Sequence, residues 1–423
     1  MKISIKEISL RKDLRTQCTP VTWLPAGALL VVVSGACNSP LPDGYVPGVT
    51  TSFQLAAGWA LSQPSRNWTV HIPQDYDPTI PTPVVFSFHG ATRTVVDEED
   101  ISGLSVNGLK INNTSFIAVY PQGVAGTKGT TAWMGAPYSA TGVDDVSFVL
   151  QMVHRLRKDL CVDATRIYAT GKSNGGGFTN YLACVPATGN LFAAFGTVSA
   201  AIYTDYSFGR YNNCSISRGI PLMDFHGTAD DTILYNGGYS NNALVMSTPY
   251  FVNGWAARDG CNLSDVTVSI DNVGNVSLGV VNVTTWSLNC RDNTSVIHFK
   301  IGGMDHAWPR TTLPAKCKGV AGNNDCDPTV INANDYLLPF FTRYNLPYVP
   351  QDTIVDSSTT TTSSLMSPTS STSSTTIVAG SATIVTNYAS TFTSSTRVIT
   401  VTSSSSATKL LLSGITIFML FAL

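Results

Sequence analysis

Charge is what this chain has least of. Only 12% of its 423 residues are Asp, Glu, Lys or Arg, and 25 cationic against 27 anionic side chains leave a formal net charge of −2. With no basic surplus, nothing in the electrostatics calls for a nucleic acid partner. Long apolar runs are missing too. Residues 23–33 and 410–423 both fall short of the roughly 20 residues that a helix needs to cross a bilayer. No Cys-x-x-Cys pair stands beside a histidine, which argues against a zinc site, and no metal or other cofactor is expected. What is present is a 43% hydrophobic chain with abundant Gly, Ser, Thr and Asn. It is long enough for one large domain or two ordinary ones.

The ends look like processing signals. Lys2, Lys6, Arg11, Lys12 and Arg15 precede the apolar run, and Ser34-Gly35-Ala36 follows it. A basic segment, an apolar segment and a small-x-small site predict a secretory signal over residues 1–36. Residues 351–408 are dominated by Ser and Thr. Such a segment has too few large apolar groups to offset its ordering entropy, and predicts an extended, O-glycosylated stalk. Residues 409–423 form an apolar tail behind a polar spacer, with small residues at Ser390, Ser394 and Ser395 upstream. That pattern matches a glycosylphosphatidylinositol attachment signal. The expected location is therefore extracellular, with attachment to the membrane or cell wall through a C-terminal lipid anchor.

Cleavage after Ala36 removes Cys18 and leaves eight cysteines, an even number that suggests disulfides in a secreted chain. Proximity in sequence pairs Cys261 with Cys290 and Cys317 with Cys326. Cys37, Cys161, Cys184 and Cys214 cannot be paired from sequence. Sequons at Asn67, Asn112, Asn113, Asn213, Asn262, Asn275, Asn282 and Asn293 fit a secreted glycoprotein.

Residues 37–350 read as an α/β domain. Apolar runs at 83–90, 115–120, 166–170, 194–200, 219–225 and 295–301 predict strands. Residues 144–160 carry Val146, Val149, Leu150, Val153 and Leu156 near the helical period. Strands alternating with helices imply a mostly parallel sheet with helices on both faces. Ligands of such sheets bind at the carboxyl ends of the strands.

One of those strands, Tyr168-Ala169-Thr170, runs into Gly171-Lys172-Ser173-Asn174-Gly175-Gly176-Gly177. Gly-x-Ser-x-Gly between a strand and a helix is the nucleophile elbow of α/β-hydrolases. A serine on so sharp a turn needs neighbours without side chains, which Gly171 and Gly175 supply. A serine hydroxyl also needs a base, and the base an orienting acid, in the chain order Ser, Asp or Glu, His. His306 is late, correctly ordered and in a loop after a strand, and is the expected base. His298 sits inside a strand, where a structural role fits better. For the acid, Asp230 lies in the turn after His226-Gly227, with Asp231 as runner-up and Asp224, within the strand, expected to be structural. The backbone N–H groups of Asn174 and Ala91 are the expected oxyanion hole, Ala91 because it follows the strand ending at His89-Gly90.

The segments Arg66–Pro73, Phe88-His89-Gly90, Cys161-Val162-Asp163, Gly171–Phe178, His226–Asp231 and His306-Ala307-Trp308-Pro309 together resemble fungal feruloyl esterases. These are related to the polyhydroxybutyrate depolymerase-like esterases of the α/β-hydrolase fold. The resemblance covers about residues 40–347. It implies Ser173, Asp230 and His306 as the triad and hydrolysis of hydroxycinnamoyl esters of plant cell-wall polysaccharide. Some relatives carry a cellulose-binding module, where this chain has its Ser/Thr stalk and apolar tail. Two other functions compete with this one. The chain could be an acetylxylan esterase or polyester depolymerase, since the fold hosts many substrates. It could also be a non-catalytic cell-wall glycoprotein, against which a complete Ser-Asp-His set argues.

Overall fold

The computed structural model describes residues 36–60, 62–204, 214, 216–271, 280–312, 329 and 331–348. The expected signal (apart from Ala36), the stalk, the C-terminal tail, the Cys317–Cys326 pair and the sequons at Asn213 and Asn275 lie outside the described residues.

Ten strands make one sheet. In chain order they are β1 (Thr50–Leu55), β2 (Arg66–His71), β3 (Thr82–Phe88), β4 (Ile117–Pro121), β5 (Val162–Lys172), β6 (Ala194–Val198), β7 (Leu222–Gly227), β8 (Thr267–Asp271), β9 (Val281–Trp286) and β10 (Val296–Ile301). Their order across the sheet is β1-β2-β4-β3-β5-β6-β7-β10-β9-β8. The six from β4 to β10 in that order are parallel. The outer two on each side are antiparallel. All six parallel strands were legible as apolar runs because both of their faces are covered. The antiparallel strands were not: β1 is only half-buried along its length.

Among the described residues, five helices of eight or more residues frame the sheet: α1 (Val95–Ser102), α2 (Asp145–Asp159), α3 (Asn174–Cys184), α4 (Thr248–Arg258) and α5 (Asn334–Thr342). Period-two alternation along β3 sorts its side chains between two layers. Val84, Phe86 and Phe88 pack with Phe148 of α2, Phe178 of α3 and Trp255 of α4. Val85 faces the other way, toward Ile101 of α1 and Leu337 and Phe340 of α5. The expected helix over residues 144–160 is α2. Asp144 caps it, its carboxylate accepting from the Ser147 N–H at 2.9 Å, and Arg157 and Lys158 stand in the last turn, where cations complement the helix dipole.

Cys261 and Cys290 are bonded as expected, and the structure also pairs Cys37 with Cys161 and Cys184 with Cys214. Cys37–Cys161 spans 124 residues and ties the segment before β1 to the start of β5. In the chain-entropy account a loop of that length stabilises by on the order of 4–5 kcal/mol.

After β3 the chain places β4 on one side of it and β5 on the other. The loops leaving β3 and β5 therefore diverge at their carboxyl ends, which is where parallel sheets open a crevice.

Candidate active site

Ser173 is the single residue between β5 and α3. Its φ of 57° and ψ of −121° lie outside the regions open to most L-residues, at a cost of order 1–3 kcal/mol that surrounding structure must hold in place. That structure is the backbone itself. The Ser173 N–H donates to Val198 O at 2.9 Å, and its carbonyl accepts from Gly177 and Ala201 N–H, each at 2.9 Å. The glycines permit the approach of the flanking backbones. A Cβ on Gly171 would sit 2.7 Å from the Gly175 carbonyl, and one on Gly175 would overlap the Phe88 carbonyl.

His306 lies in the loop after β10 and Asp230 in the turn after β7. The two strands are parallel neighbours, with Ile301 beside Gly227, so both loops rise from the same end of the sheet. His306 Nδ1 meets Asp230 Oδ2 at 2.8 Å. Asp230 Oδ1 accepts from the N–H groups of Ile233 at 2.7 Å and Thr232 at 3.0 Å, which fixes the carboxylate. With Nδ1 donating to the carboxylate, His306 keeps the Nε2 lone pair for a substrate proton. Ser173 and His306 line one cavity of about 580 Å³, together with Gly90, Ala91, Tyr138 and Ile233. That volume falls in the range of about 300–1,000 Å³ usual for small-molecule sites.

The electrostatics favour a neutral imidazole beside an ionised acid. Burial and the Lys172 ammonium lower the His306 pKa, against the pull of Asp230. Burial pushes the Asp230 carboxyl up, but hydrogen bonds from His226 and His306 outweigh it and hold the carboxyl well below its usual range.

The two expected oxyanion donors lie on adjoining segments. Asn174 opens α3, where first-turn N–H groups have no intrahelical partner, and Ala91 lines the cavity. The loop carrying Ala91 is held by His89, which the sequence marked only as preceding a glycine. His89 Nδ1 bonds Gly90 O at 2.7 Å, and its Nε2 accepts from Gly123 N–H at 2.9 Å. Burial lowers the His89 pKa to about 4, so the ring is neutral with its proton on Nδ1. Trp133, also missed from the sequence, links this loop to the elbow. Its indole N–H donates to His89 O at 2.9 Å, and its backbone N–H donates to Asn174 Oδ1 at 2.8 Å. No spacing in the sequence announces that contact.

The two other candidate acids make different side-chain bonds. Asp224 is enclosed in a separate buried chain. Its Oδ1 accepts from Thr197 Oγ1 at 2.7 Å, its Oδ2 bonds His298 Nδ1 at 2.9 Å, and His298 Nε2 bonds the Tyr235 hydroxyl at 2.9 Å. Asp231 is exposed and accepts from Thr232 Oγ1 at 3.2 Å.

No family model matches the chain. Among curated proteins, feruloyl esterase B of Piromyces equi is 29% identical over 46% of this chain and 36% of its own length. Feruloyl esterase C of Emericella nidulans is 29% identical over 58% of this chain and 77% of its own. The chain is similar to fungal feruloyl esterases. It spans little more than a third of the Piromyces equi protein's length. Of solved structures, an acetyl xylan esterase from Aspergillus awamori matches at a TM-score of 0.41 and 15% identity, over 60% of this chain and 94% of that one. The mostly parallel sheet and the strand–Ser173–helix turn are those of the α/β-hydrolase fold.

Proposed function

We propose that the chain is a serine carboxylic-ester hydrolase that releases ferulic-type hydroxycinnamic acids from plant cell-wall polysaccharides such as xylan and pectin. The observation that carries this reading is the meeting of Ser173, on its strained turn, and the His306–Asp230 pair at one cavity. The feruloyl esterase relatives supply the substrate class. In acylation, Ser173 Oγ attacks the ester carbonyl carbon while His306 Nε2 takes the hydroxyl proton. The oxyanion is met by the N–H groups of Asn174 and Ala91. Collapse expels the sugar alcohol, which takes the proton back from His306, and water repeats the sequence on the acyl-Ser173 ester. Disulfides at Cys37–Cys161, Cys184–Cys214 and Cys261–Cys290 support work in an oxidising, extracellular setting, as does the signal read in residues 1–36. Cell-surface attachment rests on the stalk and tail sequences alone.

The test is a panel of methyl ferulate, acetylated xylan and a short hydroxyacid polyester, run beside labelling by a fluorophosphonate probe. Turnover of the cinnamoyl ester and labelling at Ser173 are expected. Preference for the acetyl ester or the polyester moves the substrate assignment, and no labelling of the folded protein removes the mechanism.

A further inference from the structure

A short hairpin stands beside the cavity. Gly238–Ser240 pairs antiparallel with Ala243–Val245. Its inner face is closed: Ala243 and Val245 pack with Tyr138, Tyr203 and Ile233. Its outer face is open and aromatic. Tyr239 is 76% exposed and stands opposite Leu244 in the register, so the two share a face. Leu244 and Tyr250, itself 63% exposed in the first turn of α4, line a groove of about 360 Å³. Among the described residues no Asp, Glu, Lys, Arg or His lines that groove, and Thr204, Asn236 and Ser247 give it hydroxyl and amide edges. The turn of the hairpin reaches the other side: Asn241 lines the catalytic cavity and donates to the Tyr203 hydroxyl at 3.1 Å.

We propose that the outer face of this hairpin, with Tyr239, Leu244 and Tyr250, is a subsite for the neutral sugar chain that carries the ester. The proposal rests on the ester-hydrolase reading above. An ester of a polysaccharide has a small acyl half, which fits the cavity, and a long alcohol half, which must leave it. The Asn241 turn is where cavity and hairpin adjoin. Large exposed apolar residues scattered singly are ordinary, whereas a contiguous group beside a site marks a binding surface. Tyrosine suits a sugar ring in particular. Its face takes the C–H side of the pyranose, and its hydroxyl stays in water or bonds the ring hydroxyls. An uncharged groove with polar edges matches a hydroxyl-rich neutral chain better than a charged peptide.

The experiment compares methyl ferulate with a feruloylated arabinoxylan oligosaccharide, using the wild type and a Tyr239→Ala/Tyr250→Ala variant. Both side chains are exposed and lie outside the proposed catalytic groups. The variant should keep kcat/KM on methyl ferulate within about twofold and lose about tenfold on the oligosaccharide, chiefly through KM, as expected for two lost ring contacts. Equal loss on both substrates, or no loss on the oligosaccharide, overturns the subsite. A binding readout separates this from catalysis. The Ser173→Ala protein should be retarded by arabinoxylan in affinity electrophoresis, and adding the two tyrosine substitutions should abolish the retardation. If wild type turns over neither ester while the tyrosine-dependent retardation persists, the subsite stands and the catalytic reading falls. Sedimentation showing a dimer that the two substitutions dissociate would assign the face to a second copy of the chain and overturn the proposal.

Discussion

His226 and His306 converge on a single oxygen. Asp230 Oδ2 lies 2.8 Å from His306 Nδ1 and 3.3 Å from His226 Nε2. His226 is itself fixed, with Nε2 at 2.8 Å from Ile233 O and Nδ1 at 3.1 Å from Thr248 Oγ1. It thus closes the turn that carries Asp230 and shares that turn's acid with the proposed base.

The first consequence is a pH profile. As the proposed base, His306 has to be neutral to accept the serine proton, so kcat/KM should rise with pH as the imidazole deprotonates. Burial and Lys172 lower its pKa, which moves that rise to more acid pH. The acidic limb of kcat/KM should have its midpoint below the ordinary histidine value of about 6.5. A midpoint near pH 7 or above would show that the pull of Asp230 outweighs burial and Lys172.

His226 should tune that limb. Despite its burial, the hydrogen bond to Asp230 and the nearby Asp224 raise the pKa of His226, and positive charge there disfavours a second positive charge on His306. Replacing His226 by Phe removes both the charge and the competing donor, leaving Asp230 to stabilise the His306 imidazolium alone. The acidic limb should move to higher pH. A purely structural role would lower activity at every pH and leave the limb where it is.

Asp230→Asn tests the acid directly. An amide at this position can donate to His306 Nδ1, which leaves the proton on Nε2 and nothing to accept the serine proton. The expected loss is about 10⁴-fold in kcat with little change in KM. A thermal melt close to wild type would show that the turn still forms, because Oδ1 at this position keeps the Thr232 and Ile233 N–H groups. A loss below tenfold would mean that another group orients His306.

These side chains differ in how visible they were beforehand. Ser173, Asp230 and His306 sit in turns after apolar runs, so strand periodicity and chain order could mark them as candidates. The parallel core was legible for the same reason. His226 and Asp224 could be placed on one strand from the sequence, but not their separate partners. Those partners depend on β10 lying beside β7, with His298 in register with Asp224, and sheet order is not written in local pattern. Trp133 and His89 brace the loop proposed to carry the Ala91 oxyanion donor, through backbone carbonyls and amides. Such contacts leave no constraint on spacing. The hairpin at Gly238–Val245 has strands of only three residues, too short for alternation to register.

Gly175→Ala should be among the most damaging single changes in the domain. Gly175 lies in the first turn of α3, against the carbonyl groups of Phe88 and His89. An added methyl group would meet the backbone of Phe88 and His89, with no flexible side chain to move aside. Either β3 separates from α3 or the elbow distorts, so stability and Ser173 geometry fail together. Losses above about 4 kcal/mol belong to this kind of mechanism. Soluble expression and the melting temperature would report it, and a variant that melts like wild type would show the strand–helix approach to be looser than described.

Arg66→Met probes the support behind the proposed oxyanion loop. Arg66 and Asp145 form a fully buried ion pair at 2.7 Å, and the guanidinium lies 4.0 Å from the Phe148 ring centroid. Asp145 Oδ2 also accepts from the Met134 N–H at 2.7 Å, one residue beyond the tryptophan that binds His89 and Asn174. Removing the cation leaves a buried carboxyl whose burial already raises its pKa. The expected cost is about 3–5 kcal/mol, since an uncompensated buried charge is what such a deletion creates. Adding Asp145→Leu removes that charge and should recover most of the stability, because buried pairs replaced by apolar groups are often neutral. It cannot restore the bond to Met134 N–H, so activity should recover less than stability does. Chemical denaturation of both variants, set beside kcat on methyl ferulate, distinguishes the two effects. Full recovery of both would show that the ion pair serves stability alone and leaves the 133–134 segment to other restraints.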